Sequence, residues 1–246
     1  MIKRLLSLST HLQPKVNSRH RPTSQCVACL SSICGYGLCQ DCLADLPVNA
    51  VACRQCALPL PDLPLTSAYC GECLADPPAF DRVVAPWRYQ FPVNRLISRY
   101  KYRQQRALGM PLIRALADTL SGELEANPAL RPDLLIPSPM HAAKQRRRQF
   151  NQAEDIAEQV GRTLAIPWGV TRATRCHPGT AQSGLDRRER LVNLRGAFTV
   201  NGPVPAHVAI IDDVVTTGAT ARTLARALRQ AGAVQIQVWA LARTPG

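Results

Sequence analysis

The chain has 246 residues, 46% of them hydrophobic, and a formal net charge of +13, enough to bury one large core or two modest ones. No apolar run approaches a membrane-spanning length, so a soluble protein without membrane insertion is expected. The charge is lopsided: residues 1–80 carry six Lys/Arg against five Asp/Glu, and residues 81–246 carry 24 against 12. That excess points to polyanions or phosphorylated small molecules as partners.

Residues 1–25 read as a basic, disordered tail, because their apolar part is too short for a secretory core. Nine of the ten cysteines follow between Cys26 and Cys73. Eight form four CxxC pairs: Cys26/Cys29, Cys39/Cys42, Cys53/Cys56 and Cys70/Cys73. A CxxC turn presents two thiolates to one metal, and two such turns complete a tetrahedral four-thiolate zinc site. One or two structural zinc ions are expected. The pairs match either in sequential order or in a cross-braced order that joins the first pair to the third. Cys34 and Cys176 have no assigned partner. The module spans 26–80, with a proline-rich bridge at about 77–93 leading into a second domain over 81–246.

In that second part "VNRLISRYKYRQQRALGMPLIRALADTLSGELE" has helical apolar spacing interrupted at Gly109–Pro111. "PDLLIPSP" suits a buried strand, and "NQAEDIAEQVGRTLA" is an amphipathic helix capped by Asn151 with Glu154 three residues on. "WGVTRAT" and "GAFTV" are short strand candidates around a basic loop. "HVAIIDDV" is a strand, "TARTLARALRQAGA" a helix ending at Gly232, and "VQIQVWALAR" a final strand. Strands alternating with helices predict an α/β fold with a mostly parallel sheet.

The stretch "AIIDDVVTTGAT", Ala209 to Thr220, concentrates the chemistry. Asp212 and Asp213 are placed at the carboxyl end of the strand, where open α/β sheets bind ligands. Thr216, Thr217, Gly218, Ala219 and Thr220 form a small, hydroxyl-rich turn that can aim backbone N–H groups at one anion. The chain lacks GK[ST] and GxGxxG, so P-loop and dinucleotide readings have no support. Acids beside an anion cradle suit a sugar phosphate.

This stretch resembles the PRPP-binding signature of type I phosphoribosyltransferases. The resemblance implies that Asp212 and Asp213 hold ribose hydroxyls, that Thr216 to Thr220 bind the 5-phosphate, and that magnesium accompanies PRPP. "IPSPMHAAKQRRRQFNQAEDIA" and "RATRCHPGTAQSGLDRRERLVNLRGAF" are similar to segments of the ComF-type, or GntX-like, competence proteins. The second matches at Gln182, Leu185, Arg190, Asn193 and Phe198, and the CxxC array and "KYR" at Lys101 also fit. Gln149, Lys144 and Met140 depart from that pattern.

The resemblance implies a type I phosphoribosyltransferase-like sheet preceded by a zinc-binding module, and a cytoplasmic role in natural transformation and DNA uptake. It makes Lys101, His141, Lys144, Arg146, Arg147 and Arg148 contacts for pyrophosphate or nucleic acid, with Arg187, Arg188 and Arg190 from the loop Thr174 to Arg195. Single-stranded DNA, with Phe150 or Trp168 as a stacking face, and PRPP or a nucleotide-like molecule are the implied ligands. Two further readings are an active magnesium-dependent phosphoribosyltransferase of unknown acceptor, and a PRPP-sensing regulator whose zinc module docks a DNA translocase or helicase. No residue set identifies a catalytic group.

Overall fold

The structure, a computed structural model, describes residues 25–32, 37–61, 68–101, 103–141, 145–146, 148, 150–169, 173–175 and 197–246. Its elements in chain order are α1 (Gln40–Ala44), α2 (Gly71–Ala75), β1 (Arg82–Val84), β2 (Trp87–Arg88), α3 (Val93–Tyr100), α4 (Met110–Ala126), β3 (Leu134–Pro137), α5 (Gln152–Leu164), β4 (Ala173–Arg175), β5 (Phe198–Val200), β6 (His207–Val215), α6 (Ala219–Gln230) and β7 (Gln235–Arg243). Short 3-10 turns span Arg103–Leu108 and Pro128–Leu130.

The main sheet has the order β1-β7-β6-β3, with β2 also on β7, and every pairing is parallel. Both faces are covered, which explains why β6 and β7 read as apolar runs rather than alternating strands. Ala209 and Ile211 face one core with Trp239, Leu241 and the apolar sides of α3, α4 and α5. Val208 and Ile210 face the other, with Val238, Ala240 and the apolar side of α6. The alternation breaks at the acids, since Val214 rejoins the face of Ile211. Strand β6 also continues to Val215, so Asp212 and Asp213 lie within its carboxyl end rather than just beyond it.

The expected helix punctuation is present. Pro111 sits in the first turn of α4, where its missing N–H costs no helical bond. Asn151 caps α5 by accepting from the Ala153 N–H at 3.1 Å, and its amide donates to Glu154 at 3.1 Å. Glu154 therefore braces the capping side chain.

One expectation changes. The proline-rich stretch at 77–93 supplies β1 and β2, with Val83 on Val238 and Trp87 on Ala242. Prolines flank those short strands without entering them, so the ladder survives. The candidates in "WGVTRAT" and "GAFTV" do not join the main sheet. They pair with each other as an antiparallel ribbon, Thr174 opposite Thr199, while Trp168 makes one bridge to Leu135. Among the described residues, no helix is long and apolar enough to cross a membrane.

Candidate functional site

The cysteine-rich segment folds as one module twice. In each copy a CxxC turn closes by a backbone bond, Leu30 N–H to Cys26 O and Ala57 N–H to Cys53 O, both at 2.9 Å. The donors Leu30 and Ala57 both take positive φ, 64° and 54°. A five-residue helix follows, capped by Cys39 in the first copy and Cys70 in the second. Each capping cysteine donates its N–H to the first thiol of its copy, at 3.4 Å to Cys26 and 3.3 Å to Cys53.

The pairing is therefore sequential. Cys26, Cys29, Cys39 and Cys42 converge, as do Cys53, Cys56, Cys70 and Cys73, with sulfurs within 4.8 Å of one another in each group. Zinc–sulfur bonds of about 2.3 Å in a tetrahedron put sulfurs about 3.8 Å apart. The Cys29–Cys39 and Cys56–Cys70 separations are 3.7 and 3.6 Å. A disulfide needs about 2.05 Å, and all eight thiols are free.

The thiols do not ionise alike. Hydrogen bonds from Ser31 bring Cys29 down to about 6, whereas burial raises Cys42. Burial also pushes on Cys53, yet backbone donors including Cys56 and Cys70 carry it down to about 7. Burial raises Cys56 to about 11 and raises Cys73 further. Cys29 and Cys53 ionise readily, and a divalent cation supplies the positive charge that the raised thiols Cys42, Cys56 and Cys73 require. Both clusters fit zinc. Cys34 and Cys176 lie outside the described residues.

The copies sit differently. The first keeps a small cluster of its own around Cys26, Ala28 and Cys42. The second belongs to the core shared by α6 and the sheet. Buried Arg222 on α6 donates to the Asp76 carbonyl at 2.9 Å and to its carboxylate at 3.0 Å. Arg229 grips Ala79 O and Asp81 in the same way, at 2.9 and 2.8 Å.

At the carboxyl edge of the sheet, Asp213 Oδ2 lies 3.2 Å from Lys101 Nζ, and the two side chains are 15% and 23% exposed. Lys101 follows α3, whose last residue, Tyr100, is wholly buried and donates its hydroxyl to Asp155 at 2.8 Å. Burial, then the Asp155 charge, raises the Tyr100 pKa well above its ordinary value, so it remains a donor. Arg106 pairs with the other Asp155 oxygen. Gln152 Nε2 donates to the Lys101 carbonyl at 3.4 Å. The lysine thus stands on a buried polar network rather than on a free loop.

Asp212 accepts from the Asp213 N–H at 2.9 Å. Its carboxylate also acts on Arg175 at the end of β4, opposing the pKa depression that burial imposes on that guanidinium. Arg175 lies over the Phe198 ring, 5.6 Å from its centroid. Beyond β6, Thr216 is exposed and Thr217, Gly218 and Thr220 are half-buried. Gly218 has φ +73° and precedes the first turn of α6, and a Cβ there meets nothing within 4 Å. Backbone conformation, not crowding, is what asks for glycine. The Thr217 hydroxyl accepts from the Ala219 N–H at 3.4 Å. A glycine turn at a helix N-terminus thus stands next to two carboxylates and one lysine.

Of the other expected contacts, His141, Arg146 and Arg148 follow the carboxyl end of β3, and Arg148 donates to Gln152 at 3.1 Å. Lys144, Arg147, Gln149, Arg187, Arg188 and Arg190 lie outside the described residues. Phe150 cannot serve as a stacking face: it is 9% exposed, meets the Tyr100 ring edge-on at 5.8 Å, and carries Arg106 over its own ring at 4.8 Å. Trp168 packs against the core of α4 and α5. Sequence reasoning overlooked Arg243. It ends β7, is 4% exposed, and donates to the carbonyls of Cys56, Val215, Thr216 and Thr244. An arginine closing an apolar strand was the available signal.

No family model matches the chain. It is 32% identical over 212 residues to the DNA utilization protein YhgH of Salmonella typhimurium, covering 85% of this chain and 91% of that protein. It is 32% identical over 222 residues to competence protein F of Haemophilus influenzae, covering 89% and 90%. Competence protein ComFC of Streptococcus pneumoniae is 27% identical over 160 residues, covering 65% of this chain and 67% of its own. Among solved structures, a purine phosphoribosyltransferase from Pyrococcus horikoshii aligns with a TM-score of 0.36 at 17% identity, covering 54% of this chain and 74% of its own. The two relatives at 32% identity, each aligned over most of both chains, show the family: the chain belongs to the ComF family of competence and DNA utilization proteins.

Proposed function

We propose that this protein binds single-stranded DNA and a ribose-phosphate ligand, PRPP in the first instance, on a phosphoribosyltransferase-type scaffold in DNA uptake. The observation that carries the reading is the grouping of Asp212, Asp213 and Lys101 beside the Gly218 turn at one edge of a parallel sheet. The acids suit ribose hydroxyls, and the turn with its helix N-terminus suits the 5-phosphate. Magnesium would accompany PRPP and offset the charge of its pyrophosphate. The names competence protein F and DNA utilization protein supply the nucleic-acid half, and the 24 Lys/Arg against 12 Asp/Glu in residues 81–246 agree with it.

The DNA contacts in this reading come from His141 to Arg148 and from Arg187, Arg188 and Arg190. Zinc in both cysteine clusters is structural, because four thiolates leave no open coordination position. The domains divide into the cysteine-rich part at 26–80 and the phosphoribosyltransferase-like part at 81–246, and the site of action is the cytoplasm, where a DNA translocase or helicase is a candidate partner. A titration with single-stranded DNA from 50 to 200 mM salt tests the first claim. Arginine–phosphate contacts predict an affinity that falls steeply with salt, and a salt-independent or absent signal removes DNA from the function. Repeating it with PRPP present shows whether the ligands share one site.

A further inference from the structure

We infer that the metal in the second cysteine copy sets the conformation of the phosphate turn, and that Arg243 is the positioning residue that transmits it. The inference rests on the ribose-phosphate reading only for its ligand arm.

Arg243 is 4% exposed and donates to the carbonyls of Cys56, Val215, Thr216 and Thr244, with the Cys56 thiol also beside it. A buried guanidinium needs a compensating negative charge. The four-cysteine group Cys53, Cys56, Cys70 and Cys73 is beside it, since Nε donates to the Cys56 carbonyl at 3.1 Å. Zinc held by four thiolates has a formal charge of −2, from four negative sulfurs and one divalent cation. The metal centre and the guanidinium therefore stabilise one another: each is a buried charge that the other offsets.

The other side of the same guanidinium reaches the turn. Nη1 donates to Val215 O at 3.1 Å and to Thr216 O. In a planar trans peptide the N–H points opposite to the carbonyl. Drawing the Val215 and Thr216 carbonyls toward Arg243 therefore aims the Thr216 and Thr217 N–H groups away from the cysteine module. Those are the first donors of the turn that ends at Gly218 and opens α6. Asp76, directly after α2, holds Arg222 of α6 through its carbonyl and carboxylate. The second copy thus braces both ends of the turn, whereas the first copy keeps a separate cluster.

The coupling is reciprocal, as any linkage between two binding sites must be. Metal in the second copy orders the turn, and an anion on the turn retains the metal.

The test compares wild type, Arg243→Lys and Cys26→Ser, the last carrying metal in the second copy alone. Amide hydrogen exchange is followed at residues 215–220, with zinc counted in each preparation. Lysine keeps the charge but has one nitrogen in place of the guanidinium fork, so it cannot hold the Cys56 carbonyl and the turn carbonyls from separate atoms. The expected result for Arg243→Lys is at least tenfold faster exchange at 215–220 with two zinc ions still bound. Cys26→Ser should exchange like wild type until a chelator withdraws its remaining ion, and then accelerate. Unchanged exchange in a zinc-replete Arg243→Lys protein overturns the inference. If that variant does not fold, unchanged exchange after chelation of Cys26→Ser overturns it equally.

In the ligand arm, magnesium–PRPP slows zinc transfer to a chromogenic chelator in Cys26→Ser. A calorimetric blank for PRPP would remove the ribose-phosphate reading while leaving the exchange result to decide the coupling.

Discussion

Lys101 Nζ and Asp213 Oδ2 stand 3.2 Å apart at the carboxyl edge of the sheet, so one of the two carboxylates suited to ribose hydroxyls is engaged by a cation of the chain itself. A ligand that takes Asp213 must share or displace that lysine, and a pyrophosphate would give the freed ammonium a new partner.

Replacing the acids tests that exchange. Asp212→Asn with Asp213→Asn is expected to weaken PRPP binding at least tenfold by titration calorimetry, about 1.4 kcal/mol. Lys101→Met should also weaken PRPP, while a ribose phosphate without pyrophosphate loses less. Unaltered PRPP affinity in the double variant would remove the acids from the site.

Zinc content and stability should separate the two cysteine copies. Metal analysis of wild type is expected to find two ions per chain, one for each four-cysteine group. Cys39→Ser should lose one ion at small cost. Cys70→Ser should lose the other and destabilise by about 3 kcal/mol or more, because its copy is built into the sheet's core. Equal costs would contradict that difference in setting.

The network beneath Lys101 makes a steric prediction. A Cβ on Gly109 would lie 2.4 Å from the Tyr100 ring, and that glycine has an ordinary φ of −82°, so crowding alone is at stake. Gly109→Ala should cost about 1–3 kcal/mol. Tyr100→Phe, which removes the 2.8 Å bond to Asp155 and a longer one, 3.5 Å, to the Gln152 carbonyl, should cost about 1–3 kcal/mol by leaving the carboxylate short of a donor. Chemical denaturation measures both, and a Gly109→Ala protein as stable as wild type would show that the ring can move aside.

Stability should also depend on His207. Burial lowers its pKa from 6.5, and the nearby Asp133 and Asp81 charges oppose the shift. Its Nε2 lies 2.9 Å from the Gln237 amide nitrogen, which suits a neutral, accepting ring. With the folded pKa below the unfolded one, the unfolded chain binds the extra proton first. The contribution is therefore full above about pH 6.5 and is lost as pH falls from there toward the lowered folded value. Unfolding free energies from pH 7.5 to 5.5 should fall more steeply for wild type than for His207→Gln; parallel curves would exclude His207 as the source.

Much of this molecule is legible along the chain. The strands that carry Asp213 and Arg243, the capped helix after Asn151, the glycine turn at 218 and the four CxxC pairs are all local patterns, written in hydrophobic period, capping chemistry and residue spacing. Folding decided what those patterns meet. It chose sequential over cross-braced cysteines, drew 82–84 and 87–88 into the sheet, and buried Phe150 under Arg106. It also set Lys101 on Asp213 and bridged Arg243 to Cys56, 187 residues away. Such contacts leave no periodic trace, because a side chain's partner across the fold depends on where the sheet order and helix packing place it, not on its neighbours in sequence.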